Sequence, residues 1–399
     1  MLIEALIGGA IWGSAEMLKR GQGSSGKLDR IFRKCGLYVK YDKKEDIPKL
    51  IRSNKKDTYT EYIYRIPEGL GFKDFENKRE VIENGLNSNS EQISLSDLKG
   101  FDITGDYKKQ IKDIKKRKNS QKEVVMTFDK VLKVKVFHAP LTDHLDYENN
   151  CQAWNVPLGV TRTNPIKHDF DKIMHMVVAG TTQYGKSIFL KNVITTLLAN
   201  QTKNVSFTLI DLKGGLTFNR FKHCKQVENL TSDAEDSLKA LGVINTQMDQ
   251  VMNHFKVNNF ENVREAKIKN RHFVIIDEGA ELAPGIEKDK ELREIKNRCE
   301  FILSRIARIG GALGYRLIYA TQTPYSEVLN HNIKQNCDAK LCFKLQTDKA
   351  SEVVLGEGIT DAHHLPFIKG RAVYLIDRKY IVQTPMIEND YIEGVIEDV

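Results

Sequence analysis

Residues 180 to 187 read Gly-Thr-Thr-Gln-Tyr-Gly-Lys-Ser, a spacing that cradles phosphate. In the pattern Gly-x4-Gly-Lys-Ser the loop residues Gly180, Thr181, Thr182, Gln183, Tyr184 and Gly185 turn backbone N–H groups toward an anion, and the glycines let it approach without a Cβ in the way. Lys186 is placed to reach the β- and γ-phosphates of a nucleotide, and the Ser187 hydroxyl to hold Mg2+. ATP and Mg2+ are therefore the expected ligands. The context supports this. Met176–Ala179 is an apolar run of buried-strand type, and Ile188–Leu198 reads as a helix whose positive N-terminal end faces the same anion.

A near-match close to the start lacks that context. Gly21-Gln-Gly-Ser-Ser-Gly-Lys-Leu28 has leucine where the hydroxyl belongs, and Met17-Leu-Lys-Arg20 ahead of it is not a strand. Its Gly/Ser content predicts a flexible linker over 21–27.

Binding a nucleotide is not yet hydrolysis. The apolar run Phe273-Val-Ile-Ile ends in Asp277-Glu278. An aspartate there would stand beside the metal held by Ser187, and the next carboxylate, Glu278, would orient and deprotonate the attacking water. Thr321-Gln322 ends another strand-like run. The Gln322 amide is placed to sense the γ-phosphate and pass its loss into motion. The expected catalytic set is thus Lys186, Glu278 and Gln322, with Ser187 and Asp277 at the metal.

These residues need strand ends to hold them, and the chain supplies the strands. From about 159 onward strand-like and helix-like segments alternate: strands at 205–212, 272–276, 316–320, 341–345 and 372–376, helices at 233–255 and 291–309. That alternation predicts an α/β domain with a mostly parallel sheet and helices on both faces, whose ligands sit at the carboxyl ends of the strands. Residues 28–158 read as a smaller α+β domain, with strands at 58–66, 124–128 and 131–137, a helix over 74–86 and a basic insert at 108–122. The chain has 399 residues, a net charge of +8 and a hydrophobic content of 41%, which suits a folded protein of two or three domains with a mild pull toward polyanions. Its six scattered cysteines show no zinc spacing, and buried or free thiols are expected. Residues 1–20 form an apolar segment with three readings: a helix packed on protein or a partner, a peripheral membrane anchor backed by Lys19 and Arg20, or a true span. The first fifteen residues would make a helix of roughly 22 Å, short of the ~30 Å hydrocarbon core.

Taken together, these motifs resemble the FtsK/SpoIIIE-type DNA translocases of the FtsK–HerA superfamily. His175–Ser187 is similar to that family's PH-x-x-VAGTTGSGKS, Ile210-Asp-Leu-Lys213 to its IDPK, and Asn332–Phe343 to its IKANIPTRIAF. The resemblance covers about 155–385. It implies a RecA-like motor over 159–399, forming a hexameric ring that pumps DNA, and an ATPase whose hydrolysis drives that movement. Departures exist. Gln183-Tyr184 replace the usual Gly-Ser, and Gly279 and Glu281 stand where the family has Phe and Asp. The family's two arginines of trans-acting type fall on Gly311 and Glu352, so Arg305, Arg308, Arg316 and Arg371 are left as candidates. The short N-terminal part and the end of the sequence at Val399 resemble the small coupling ATPases of conjugative elements. That predicts DNA, a relaxase or a secretion channel as partners, and a cytoplasmic location at the inner face of the membrane. A phage or plasmid packaging or replication motor, or a nucleotide-regulated assembly protein, are the alternatives. Candidate DNA contacts are Lys213 and Lys222 after the second strand of the domain, and Lys256, Arg264, Lys267 and Lys269 before the Asp277 strand.

Overall fold

The computed structural model describes residues 24–42, 44–87, 122–322, 324–325 and 328–399. The apolar segment 1–20 and residues 108–121 of the basic insert lie outside the described residues. Contacts divide the chain into Met1–Pro140 and Leu141–Val399.

In the first unit, helix α1 (Ser24–Lys34) is followed by strands β1 (Val39–Tyr41), β2 (Lys44–Asp46), β3 (Lys49–Lys55) and β4 (Tyr59–Arg65). Helices α2 (Phe72–Asn77) and α3 (Arg79–Asn87) come next, then β5 (Glu123–Asp129) and β6 (Val131–Phe137). Strands β3-β4-β6-β5 form an antiparallel sheet in that order. Leu28, Ile31 and Phe32 of α1 meet Phe75, Ile82, Tyr64 and Val134 in one core. The linker expected at 21–27 is therefore corrected from Ser24 onward. Leu28, Ile31 and Phe32 fall on one helical face, and burying that face outweighs the flexibility of the Gly/Ser composition. Lys27 donates to Leu86 O at 2.7 Å, a cation on the last turn of α3. The helix expected over 74–86 is two helices meeting at Lys78.

The second unit starts earlier than the sequence suggests. Strands β7 (Asn155–Val160) and β8 (Pro165–Asp169) belong to its sheet. Val156 and Leu158 are fully buried against the nucleotide-loop helix, which draws the boundary from 158/159 back to 140/141. There follow β9 (Met176–Ala179), α4 (Lys186–Gln201), β10 (Val205–Asp211), β11 (Val227–Thr231), α5 (Ala234–Asn258), β12 (Arg271–Asp277), α6 (Lys290–Arg305), β13 (Tyr315–Thr321), α7 (His331–Asn336), β14 (Ala339–Phe343), α8 (Asp348–Leu355), α9 (Asp361–His364), β15 (Arg371–Leu375), β16 (Lys379–Gln383) and α10 (Asn389–Glu397). Among the described residues the strands make one ten-stranded sheet, β11-β10-β12-β13-β9-β14-β15-β16-β7-β8. The first six are parallel, and the rest are antiparallel.

β10, β12 and β13 are buried almost throughout, because helices cover both faces of a parallel sheet. On one face Ile210, Val274, Ile276 and Leu317 pack against Leu241, Ile244 and Met248 of α5 and Ile302 and Leu303 of α6. On the other, Phe207, Leu209, Phe273, Ile275 and Ile318 pack against Phe189, Leu190, Val193 and Ile194 of α4. Parallel strands share an end, so the residues following Ala179, Asp211, Asp277 and Thr321 arrive at one edge of the sheet. This is an α/β fold of RecA-like P-loop type.

Candidate functional site

At the end of β9 the chain turns at Gly180, where a Cβ would lie 2.6 Å from the Phe343 Cβ. The loop closes at Gly185 with φ 118°, a left-handed position open to glycine, and α4 begins at Lys186. Thr181 donates from both N (3.1 Å) and Oγ1 (2.9 Å) to Lys344 O, and Gly370 N donates to Tyr184 O at 2.9 Å. The loop is thus pinned from β14 and from the turn before β15. Gln183 takes φ 72° although it is not glycine. A side chain with a Cβ in this left-handed region carries a cost in strain.

Opposite the loop, β12 delivers Asp277 and Glu278, both buried. Lys186 Nζ, 3% exposed, lies 2.7 Å from Asp277 Oδ1 and donates to Glu278 Oε2 at 3.2 Å. Ser187 Oγ donates to Asp277 Oδ2 at 3.3 Å. Glu278 has φ 65° and ψ 54°, a left-handed conformation that strains a residue with a Cβ and turns its carboxylate back over the strand ends. Its Oε1 accepts from Gln322 N at 3.0 Å and Thr321 Oγ1 at 3.3 Å. Gln322 Oε1 in turn accepts from Thr182 Oγ1 at 2.7 Å. Lys186, Ser187, Asp277, Glu278 and Gln322 are therefore brought together, with Gln322 bridging the loop and Glu278. Gly279 answers the family departure at that position. A Cβ there would lie 2.3 Å from the Tyr319 ring, so this ring fills the space a larger residue would need.

A cleft of about 520 Å3 opens along the loop. Its lining includes Lys186, Ser187, Lys213 and Gln322, and also Asp143–Leu145 and Thr384–Met386. The latter two segments were not foreseen from sequence. They are brought together by return of distant chain: Met386 N donates to Leu145 O at 2.7 Å, Tyr147 N to Met386 O at 3.0 Å, and Asn192 of α4 to Pro385 O at 2.8 Å. No local motif marks those residues. A larger hollow of about 640 Å3 adjoins across the Thr182–Gln322 contact, lined by Tyr184, Tyr325, Lys344 and Phe367. The smaller cleft is the one that contains Lys186 and Ser187.

The donor set fits Mg2+ held together with a nucleotide. Asp277 Oδ1 is buried with no hydrogen-bond partner beyond the Lys186 charge, and a hydroxyl oxygen, Ser187 Oγ, lies beside the same carboxylate. Among the described residues no three His, Cys, Asp or Glu side chains cluster as a protein-only metal site. Mg2+ favours such sparse protein ligation, completing its octahedron with phosphate oxygens and water.

The candidate DNA contacts separate. Lys213 lines the nucleotide cleft, and Lys222 follows a short 3-10 turn near it in sequence. Arg264, Lys267 and Lys269 precede β12 and so stand at the amino ends of the strands, where they line a hollow of about 330 Å3 with Trp154 and Arg271. Lys256, in the last turn of α5, approaches the same end. The structure does not gather the six at one place. Of the arginine candidates, Arg316 is buried on Phe170 O, Gly311 O and Asp171. Arg371 is buried on Gln383, Leu141 O and Thr142 O. Arg305 is tied to Asn245 and Asp249 of α5. Those three are engaged within the chain, and Arg308 is exposed.

A phosphate loop opening a helix, with Asp-Glu on the adjacent-but-one strand, defines a P-loop ATPase domain. Residues 143–273 match the FtsK/SpoIIIE family. That match covers about a third of the chain and includes the phosphate loop. The chain is 30% identical over 205 residues to the DNA translocase FtsK of Helicobacter pylori, spanning 48% of this chain and 23% of that protein. It is 30% identical over 252 residues to the type VII secretion system protein EssC of Staphylococcus aureus, spanning 57% of this chain and 16% of that protein. The chain thus spans about a quarter or less of the curated relatives it matches. In fold it is similar to the pCW3 conjugation coupling protein TcpA, solved as a monomer with ATPgS, with TM-score 0.61, 20% identity, and coverage of 93% of this chain and 98% of that one. Among the described residues no helix is long and apolar enough to cross a membrane.

Proposed function

We propose that this protein is an ATP-driven DNA translocase, working as a hexameric ring and coupling DNA to conjugative transfer. The observation that carries the reading is the convergence of Lys186, Ser187, Asp277, Glu278 and Gln322 on one cleft at the strand ends. The 180–187 loop would hold ATP. Lys186, paired with Asp277 and Glu278 in this structure, is the cation that would turn to the phosphates when nucleotide binds. Mg2+ would be held by Ser187 and Asp277, where it neutralises phosphate charge. Glu278, its Oε1 anchored by Gln322 N, keeps Oε2 toward the site and takes the proton of the attacking water. Loss of the γ-phosphate reaches Gln322 through Thr182, and so the strand-end loop after β13. That is the step by which turnover becomes motion.

DNA as the substrate is supported by charge. The +8 resides wholly in residues 1–140, which hold 29 Lys and Arg against 20 Asp and Glu; residues 141–399 hold 32 against 33. Arg264, Lys267, Lys269 and Lys256 add a local basic group at the amino ends of the strands. A relaxase or a secretion-channel component is the partner class consistent with the TcpA-like fold. Location in the cytoplasm at the inner membrane face goes with that role. The test is ATP turnover with no DNA, single-stranded DNA and double-stranded DNA, together with the mass of the assembly with nucleotide. Stimulation by DNA and a six-subunit mass support the motor. Turnover indifferent to DNA, with nucleotide changing only the mass, marks an assembly protein instead.

A further inference from the structure

The carboxylate of Asp277 has a support in Thr217, a residue outside every motif named above. Asp211 ends β10 directly beside Asp277 in the register of the sheet, and both are fully buried. The chain after Asp211 folds back over its carboxylate. Oδ2 accepts from Thr217 N at 2.6 Å and Phe218 N at 3.3 Å, and Oδ1 from Lys213 N at 3.3 Å. Gly214 and Gly215, with φ 82° and 75°, allow the tight path. The outcome is that the Thr217 hydroxyl donates to Asp277 Oδ2 at 2.8 Å. Asp277 Oδ2 thus takes two hydroxyls, from Thr217 and Ser187, while Oδ1 has only the Lys186 charge.

We propose that Thr217 is a positioning residue for the metal. It holds one oxygen of Asp277, so that the other is presented to the ion or its water once Lys186 has moved to phosphate, and Asp211 holds Thr217 in place. The proposal rests on the reading of Asp277 as the Mg2+ carboxylate. Without the Thr217 hydroxyl, Oδ2 keeps only the longer Ser187 contact and the carboxylate is free to rotate toward Lys186. A hydrogen bond to a charged group is worth about tenfold or more in an equilibrium constant.

The experiment measures binding of a fluorescent, non-hydrolysable ATP analogue to the full chain as Mg2+ is titrated, with thermal melting alongside. Thr217→Val should raise the half-saturating Mg2+ about tenfold and leave analogue affinity in excess EDTA within about twofold of the parent. Thr217→Ser, which keeps the hydroxyl, should behave as the parent. A hydroxyl that serves only the fold would lower the melting temperature without moving the Mg2+ requirement. Thr217→Ala decides the matter should the valine variant not fold. Asp277→Ala separates the two levels. If it raises the Mg2+ requirement and the Thr217 variants do not, Thr217 has no such role. If neither Asp277→Ala nor the Thr217 variants move it, the metal assignment of Asp277 itself is wrong.

Discussion

Lys186 and Asp277 form a buried ion pair at 2.7 Å, across 90 residues of sequence, at the centre of the nucleotide site. Glu278 completes it at 3.2 Å. The one cation therefore compensates both buried carboxylates.

Replacing Lys186 by Ala leaves two buried carboxylates facing each other uncompensated. We predict loss of nucleotide binding and also a fall in stability of about 3–5 kcal/mol, the usual cost of breaking a buried pair from one side. Denaturant melts and analogue binding check both halves. A variant as stable as the parent would mean that water enters and solvates the pair.

Glu278→Gln keeps the volume and the contact from Gln322 N, but it cannot take a proton. ATP and Mg2+ should still bind, and turnover should drop about 100- to 10,000-fold. Pre-steady-state hydrolysis and equilibrium binding distinguish this from a metal-ligand role, in which affinity would be lost first.

Gly279→Ala puts a Cβ against the Tyr319 ring. Overpacking of this kind costs about 1–3 kcal/mol, and here it also pushes on Glu278. Tyr319→Leu in the same chain should recover much of the loss, so a double-mutant cycle should give a favourable coupling energy. Additive effects would show that the ring moves aside freely.

Burial holds two imidazoles neutral. His168 is pushed down to about 4 by burial, partly offset by Ile173 O, and His175 to about 3 by burial and then by Arg316, from an ordinary value of 6.5. His175 Nδ1 must stay an acceptor, since Leu317 N donates to it at 2.9 Å. The unfolded chain takes up these protons below about pH 6.5 and the folded one does not. Their contribution is fully present above pH 6.5 and is lost as the pH falls through about 4 for His168 and about 3 for His175. Melting temperature should decline over that window, and less steeply in His175→Gln, whose amide oxygen accepts the same N–H without titrating.

DNA affinity should fall steeply with salt and depend little on sequence, because a basic surface acts on phosphates. Neutralising Lys256, Arg264, Lys267 and Lys269 together should reduce the salt slope and abolish DNA stimulation of turnover, leaving basal turnover intact. Stimulation that persists unchanged would exclude the amino-end group and direct attention to residues 1–140.

The P-loop, the Asp277-Glu278 pair and the parallel strands that deliver them were legible in the chain, because each is a local signal. Glycines at fixed spacing mark an anion site, and apolar runs ending in carboxylates mark buried strands of a two-faced sheet. What only the tertiary structure decided is non-local. Residues 143–145 and 384–386 share the lining of the cleft because backbone pairing across some 240 residues brings them together, and no residue type announces it. The start of the second unit lies at Leu141 rather than at 159 because Val156 and Leu158 gain more by burial on α4 than local composition reveals. Thr217 looks like any loop threonine in sequence. Its contact with Asp277 exists because Asp211 lies next to Asp277 in a parallel sheet, and register between strands 60 residues apart is set by packing of the whole face rather than by either strand alone.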